Sequence, residues 1–246
     1  MTQIRCHDAV FQNIEAVLLD KDGTLAQTAP FLVNLGRQRI DCIDIHIPTI
    51  RDELFRMFGL GSHGLASDGL LAVGTRYENE IAAAASIAGT GCGWADALAI
   101  AKDAFRDADA FLNPKAPQTP LFPGTIEFLD MLCRHGLTVG LLSADSSTNV
   151  DDFVQTYKLG KYFQFVKGID HPPGKPDSSL IQLACQSMNV IAERMLVIGD
   201  SSVDIQLAEQ GHTAGCIAMA WDSVQSNHLE RAGAIAHSFD EIAVCS

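Results

Sequence analysis

Short, continuous apolar runs alternate along the chain with longer stretches in which apolar residues recur at helical spacing. The run Ala16-Val17-Leu18-Leu19 has no polar interruption and ends abruptly in charge and Gly23. That is the pattern of a strand buried on both faces, which implies a parallel sheet. Similar runs occupy 137–142, 195–198 and 216–220, with a weaker one at 163–166. Between them, helical patterns cover 124–135, 148–158, 178–188 and 202–210. Strand, helix, strand in repeated alternation predicts an α/β fold with a doubly wound parallel sheet. Such sheets carry their active sites at the carboxyl ends of the strands, where each of these runs is followed by polar residues.

Residues 26–116 break the rhythm. They are rich in Ala, Leu, Arg and Asp, show helical spacing over 31–45, 49–58, 67–73, 76–87 and 94–109, and contain no convincing strand. Gly59-Leu60-Gly61 and the glycines at 89, 91 and 93 read as turns between those helices. The expected organisation is therefore a sheet domain formed by 1–25 and 117–246, with 26–116 inserted as an all-helical domain. A proline-rich stretch, 113–120, returns the chain to the sheet and suits a stiff linker.

Composition narrows the function classes. The chain has 246 residues, of which 47% are hydrophobic and 19% charged, and no segment approaches the ~18 uninterrupted apolar residues of a membrane span. A formal net charge of −13 opposes the counterion release that drives nucleic-acid binding. It would also repel a small anionic substrate unless a focused positive site or a bound cation offset it. The first eight residues lack the basic start and apolar run of a secretory signal, so a cytoplasmic protein is expected. Seven scattered cysteines without metal spacing read as small core residues in a reducing compartment. The histidines at 46, 63, 135, 171, 212, 228 and 237 share no spacing, and none is expected to bind a metal.

Four strand-end signals carry candidate chemistry. Asp20 and Asp22 stand two residues apart just past the first buried run, with Gly23 permitting a tight turn. The pair suggests a metal site or an acid/base couple, although Asp and Gly also favour such turns for conformational reasons alone. Ser143, followed by Ala144-Asp145, offers a hydroxyl and backbone N–H groups to a phosphate, or simply caps a helix. Lys175, in Gly174-Lys175-Pro176-Asp177, supplies point charge for a phosphate or a neighbouring carboxylate. The prolines at 172, 173 and 176 and the spacing of the glycines exclude a P-loop there. Asp200 and Asp204 lie one helical turn apart after the run 195–198, which would put both on one face. Lys21, between the two acids of the first signal, is expected to point away from them by strand alternation.

The four signals in this order resemble the haloacid dehalogenase superfamily, with its Asp-x-Asp-Gly-Thr/Val motif, strand-end Ser/Thr, Lys and closing acidic motif. Pro123-Gly124 before the helix leading to Ser143 is similar to the helical-capped, phosphoglycolate-phosphatase-like branch. The resemblance implies a Rossmann-like core and a phosphatase, using Mg²⁺, for a small phosphorylated metabolite. Neither a nucleic-acid polymer nor a membrane is expected as partner, and no oligomeric state is assigned. Carried over, it makes Asp20 the nucleophile of a phosphoaspartyl intermediate and Asp22 the acid that protonates the leaving oxygen and then activates water. Ser143 and Ala144 would hold the phosphoryl group, and Lys175 would neutralise charge on it and on Asp20. Asp20, Asp22 through its carbonyl, and Asp200 would ligate the metal, with Asp204 a further ligand or a group supporting the ligands. Arg76, at the start of a helix in the insert, is the candidate for meeting the rest of the substrate, with a solvated helix start as the alternative. A phosphomutase uses the same motifs, and a non-catalytic binding protein could share the fold. Dehalogenases lack an acid at the position of Asp22, which argues against that activity.

Overall fold

The computed structural model describes residues 2–61, 64–221 and 227–245; His63 lies outside them. The chain divides into two compact units, Met1–Gln27 with Pro120–Ser246, and Thr28–Thr119.

In chain order the elements begin with β1 (Gln3–Cys6), β2 (Ala9–Phe11) and β3 (Ala16–Leu19). The second unit follows with α1 (Ala29–Asp44), α2 (Arg51–Met57), β4 (Leu60–Gly61), β5 (Gly64–Leu65), α3 (Leu70–Val73), α4 (Arg76–Gly89) and α5 (Trp94–Leu112). The first unit resumes with α6 (Thr125–Arg134), β6 (Thr138–Leu142), α7 (Ser147–Thr156), β7 (Phe163–Lys167) and α8 (Ser179–Met188). It ends with β8 (Met195–Gly199), α9 (Ser202–Gln210), β9 (Gly215–Met219), β10 (Ala234–Ala236) and β11 (Ile242–Cys245).

The six-stranded sheet has the order β10-β9-β8-β3-β6-β7, and every pairing in it is parallel. This is the doubly wound α/β fold that the apolar runs predict. β3 lies between β8 and β6, where the strand order reverses; open α/β sheets bind their ligands outside the carboxyl ends of the strands at such a point. Registers pair Leu19 with Leu141 on one side and with Ile198 on the other, so the segments after β3, β6 and β8 leave the sheet together. All four residues of β3 and all five of β8 are buried, as a central strand covered by helices on both faces requires. One face packs Leu18, Leu142, Val197 and Ala218 against Ile181, Ala184 and Met188 of α8 and Ile205 and Ala208 of α9.

A small antiparallel sheet of order β11-β1-β2 ties the two ends of the chain together. The hydrophobic pattern does not predict it, because its strands are short and β11 is almost a whole chain away from β1 in sequence. The cysteines also depart from expectation: Cys6 and Cys216 are buried, whereas Cys133 and Cys245 are exposed, so these last two are not core residues.

The helical unit has its own core, built from Phe31, Leu35, Ile43, Leu54, Phe58, Ala84, Ile87, Ala101 and Phe105 among others. The small residues of α4 and α5 let those helices approach closely, and a Thr75–Glu78 capping box starts α4. Leu60 and Gly61, read from sequence as part of a turn, instead pair with Leu65 and Gly64 in a short ribbon. Trp94, the first residue of α5, is half exposed. Asp109 on α5 receives Arg39 at 3.3 Å and Arg76 at 3.1 Å, while Glu80 takes Arg76 at 3.2 Å. Arg76 is thus a fastening between α4 and α5 inside this unit, neither a bare solvated side chain nor an unneutralised charge. The Arg39 guanidinium also stacks 4.1 Å from the centroid of Phe105, which explains how a buried arginine is accommodated there.

Candidate active site

Asp20 continues β3 by one residue: its N–H donates to the Ile198 carbonyl at 2.9 Å, which holds it beside β8. The chain then turns at once. The Lys21 carbonyl accepts from the N–H groups of Thr24, Leu25 and Ala26, and Gly23 adopts a φ of +81°. Positive φ favours glycine, and space requires it as well: a Cβ here would sit 1.9 Å from Oδ2 of Asp200. The glycine therefore lets the Asp20–Asp22 turn and the Asp200 carboxylate come into contact.

Asp200 follows β8 directly, and Ser201 caps α9. The Ser201 hydroxyl donates to Oδ2 of Asp204 at 2.6 Å, and its N–H reaches the same oxygen at 3.3 Å. The other oxygen of Asp204, Oδ1, accepts from Lys175 at 2.7 Å. Lys175 donates in turn to Oδ1 of Asp20 at 2.6 Å. Asp200 precedes the helix, so the convergence of Asp200 and Asp204 comes from the strand-end turn and the capping box rather than from a shared helical face. Gly199 makes room for it, since a Cβ there would lie 2.2 Å from Cγ of Asp204.

Carboxylate oxygens of Asp20, Asp200 and Asp204 all lie within 4.8 Å of one another. Burial pushes the Asp20 carboxyl up to about 7, against the pull of Lys175 and with a further push from Asp204 and Asp22. Burial and the neighbouring carboxylates of Asp20 and Asp204 raise Asp200 well above the ordinary range. Burial works against the Lys175 ammonium, yet Asp20 and Asp204 outweigh it and hold its pKa above the usual lysine value. Three crowded carboxylates share one ammonium, which leaves an excess of buried negative charge. A divalent cation with a taste for oxygen ligands is the charge that would relieve it, so these residues fit Mg²⁺. Asp20 and Asp200 are the side chains suited to ligation. Asp204 belongs to the same cluster, and its two oxygens also accept from Lys175 and Ser201, so it anchors Lys175.

Ser143 leaves β6, and its N–H donates to the Lys167 carbonyl at 2.9 Å. Its Oγ accepts from the Asp145 N–H at 3.1 Å, so the hydroxyl proton is left for another acceptor. Ser143 is buried, and Ala144, half-buried, lies in the bend after it. Asp145 fixes this bend further by accepting from the Ser146 N–H and the Asn149 amide.

Lys21 departs from expectation. Its side chain is fully buried, with Nζ 2.5 Å from Oδ1 of Asp22 and 2.9 Å from Oδ2 of Asp145, and 5.4 Å from the centroid of Phe153. Alternation does not apply because the strand has ended and the chain is already turning. Burial disfavours its charge, but Asp145 and Asp22 overcome that and raise its pKa. Asp145 and Ser201 are further members of the site that the sequence does not single out. The only signal for Asp145 is its place two residues past Ser143, and for Ser201 its place three residues before Asp204.

A family model described as haloacid dehalogenase-like hydrolase matches residues 14–212. Among curated proteins, Phosphoglycolate phosphatase 1 of Pseudomonas aeruginosa is 27% identical over 83% of this chain and 69% of its own length. The phosphoglycolate phosphatase of Caulobacter vibrioides is 26% identical over 94% of this chain and 90% of its own. Among solved structures, one described as a predicted phosphoglycolate phosphatase from Haemophilus somnus superposes with a TM-score of 0.66 at 16% identity, covering 93% of this chain and 96% of that one. At that identity it speaks for the fold alone. With the family model spanning most of the chain and the strand-end carboxylates and lysine gathered on its sheet, this protein belongs to the haloacid dehalogenase-like hydrolases.

Proposed function

We propose that this chain is a Mg²⁺-dependent phosphatase that hydrolyses a small phosphate monoester through a phosphoaspartyl intermediate on Asp20. The observation that carries the reading is the Lys175 ammonium held between Asp20 and Asp204, against the strand-end turn that bears Asp22. Phosphate monoesters hydrolyse so slowly that accelerations of up to ~10²¹-fold are needed, and no single effect supplies that. Asp20 attacks phosphorus, Lys175 offsets charge on its carboxylate and on the phosphoryl oxygens, and the Ser143 hydroxyl donates to one of those oxygens. Asp22 gives its proton to the departing oxygen and takes one from water in the second half of the reaction. Mg²⁺ held by Asp20 and Asp200 would supply positive charge to the transferring group. The name shared by the curated relatives makes phosphoglycolate the first substrate to try.

Phosphate release from a panel of small esters, with and without Mg²⁺, tests the proposal. Release with Mg²⁺ alone, abolished in Asp20→Asn, is expected. Turnover that persists undiminished in Asp20→Asn would defeat the assignment. Conversion to an isomeric phosphate that needs a bisphosphate activator and frees no phosphate would mark a mutase instead.

A further inference from the structure

We propose that Lys21 is a positioning residue for Asp22, clasping its carboxyl so that proton delivery to the leaving oxygen depends on this buried ammonium. The inference rests on the reading of Asp22 as the acid. Lys21 reaches Oδ1 of Asp22 at 2.5 Å and Oδ2 of Asp145 at 2.9 Å, and its own side chain is completely buried. A buried lysine carries a large desolvation penalty unless its partners are well placed. This one sits between the turn after β3 and the bend after β6, and it joins two elements of the site.

Asp145, on the far side of Lys21, also orders that bend: its N–H meets Ser143 Oγ, and its Oδ1 accepts from Ser146 and Asn149. Its carbonyl accepts from Ile169, which fastens the bend to the segment after β7. Phe153 of α7 walls the ammonium 5.4 Å away. Lys21 is therefore fixed from the Asp145 side by a rigid scaffold and in turn fixes the rotamer of Asp22. The consequence concerns one step. As the Asp20 carboxylate oxygen bonds to phosphorus, the ester P–O bond breaks and its electron pair stays on the leaving oxygen. That oxygen takes the proton from Asp22.

A leaving group that is stable as an anion needs no such proton, whereas a poor one does. Loss of Asp22 positioning must therefore discriminate between esters, while mere loosening of the fold must not. The test compares kcat/KM for phenyl phosphate and 4-nitrophenyl phosphate at saturating Mg²⁺, because kcat/KM reports the step in which the ester bond breaks. Lys21→Met leaves Asp145 without its cation and could fail to fold, so the double variant Lys21→Met/Asp145→Asn is measured beside it, with thermal melting of each. For the folded variants, phenyl phosphate hydrolysis is expected to fall about 10²-fold, the low end of what a placed acid contributes, and 4-nitrophenyl phosphate hydrolysis by less than about threefold. Equal losses on both esters, or no loss on either, would overturn the proposal. Asp22→Asn is run in parallel. If it discriminates between the esters and the Lys21 variants do not, only the role of Lys21 falls; if it does not discriminate, the assignment of Asp22 as the acid falls first.

Discussion

Asp204 grips Lys175 with one carboxylate oxygen, at 2.7 Å, while its other oxygen is held at 2.6 Å by the hydroxyl of Ser201. The first residue of a helix cap thus sets the position of an ammonium that reaches Asp20. Asp204→Asn keeps the shape of this link and removes its charge. In the proposed mechanism, kcat falls by about 10- to 10²-fold, roughly 1.4 to 2.7 kcal/mol of lost stabilisation, because Lys175 is no longer held firmly against Asp20. The Mg²⁺ concentration for half-maximal activity moves little if Asp204 acts by holding Lys175 and not by binding the metal, its oxygens being bonded to Lys175 and Ser201. Asp200→Asn shows the converse, a much higher Mg²⁺ requirement. Steady-state rates across a Mg²⁺ titration separate the two.

The carboxyl of Asp20 predicts a pH-dependent response to metal. Its pKa in the folded, metal-free protein is raised to about 7 from 3.8, with burial the largest cause. The folded state therefore holds a proton that the unfolded chain releases. The stability this provides is fully present below about 3.8 and is lost as pH rises through about 7. Binding of Mg²⁺ expels the same proton, so the metal binds more weakly as pH falls below that value. The shift in melting temperature on adding Mg²⁺ is expected to be large at pH 8 and small at pH 5.5. An equal shift at both would show that Asp20 does not hold this proton.

The sheet is legible in the sequence because each buried strand is a continuous apolar run and its polar successor marks a carboxyl end; β3, β6 and β8 are visible this way. The sheet of β1, β2 and β11 is not, since its strands are only three or four residues long and β11 joins from the other end of the chain. Asp20 and Asp200 stand out as candidates from their places at strand ends, Asp204 from its spacing to Asp200 and Lys175 from its place before a helix, and the structure brings the four together. Asp204 as the anchor of Lys175 needs geometry, because an i, i+4 spacing is equally compatible with a shared helical face. Lys21 escapes the pattern for a related reason: alternation applies within a strand, and after Asp20 the strand gives way to a turn closed by the Lys21 carbonyl. Arg76 shows as a charge at a helix start, but its partners Glu80 and Asp109 come partly from a different helix.

Gly23 offers the sharpest single substitution. Its φ of +81° disfavours any side chain, and a Cβ would also lie 1.9 Å from Oδ2 and 2.4 Å from Cγ of Asp200. Two costs therefore combine in Gly23→Ala, and a control can separate them. Gly136 has a φ of +74°, and a Cβ there would meet no atom within 4 Å beyond its chain neighbours, so Gly136→Ala carries the backbone cost alone. Gly136→Ala is expected to lower stability by roughly 1 kcal/mol and leave activity unchanged. Gly23→Ala is expected to lower it by about 2 to 3 kcal/mol and, because the Asp200 carboxylate must move, to weaken Mg²⁺ binding and abolish most turnover. Denaturant melts together with Mg²⁺ titrations of both variants check this. Near-native Mg²⁺ affinity in a folded Gly23→Ala protein would mean that Asp200 does not need its place beside the Asp20–Asp22 turn to hold the metal.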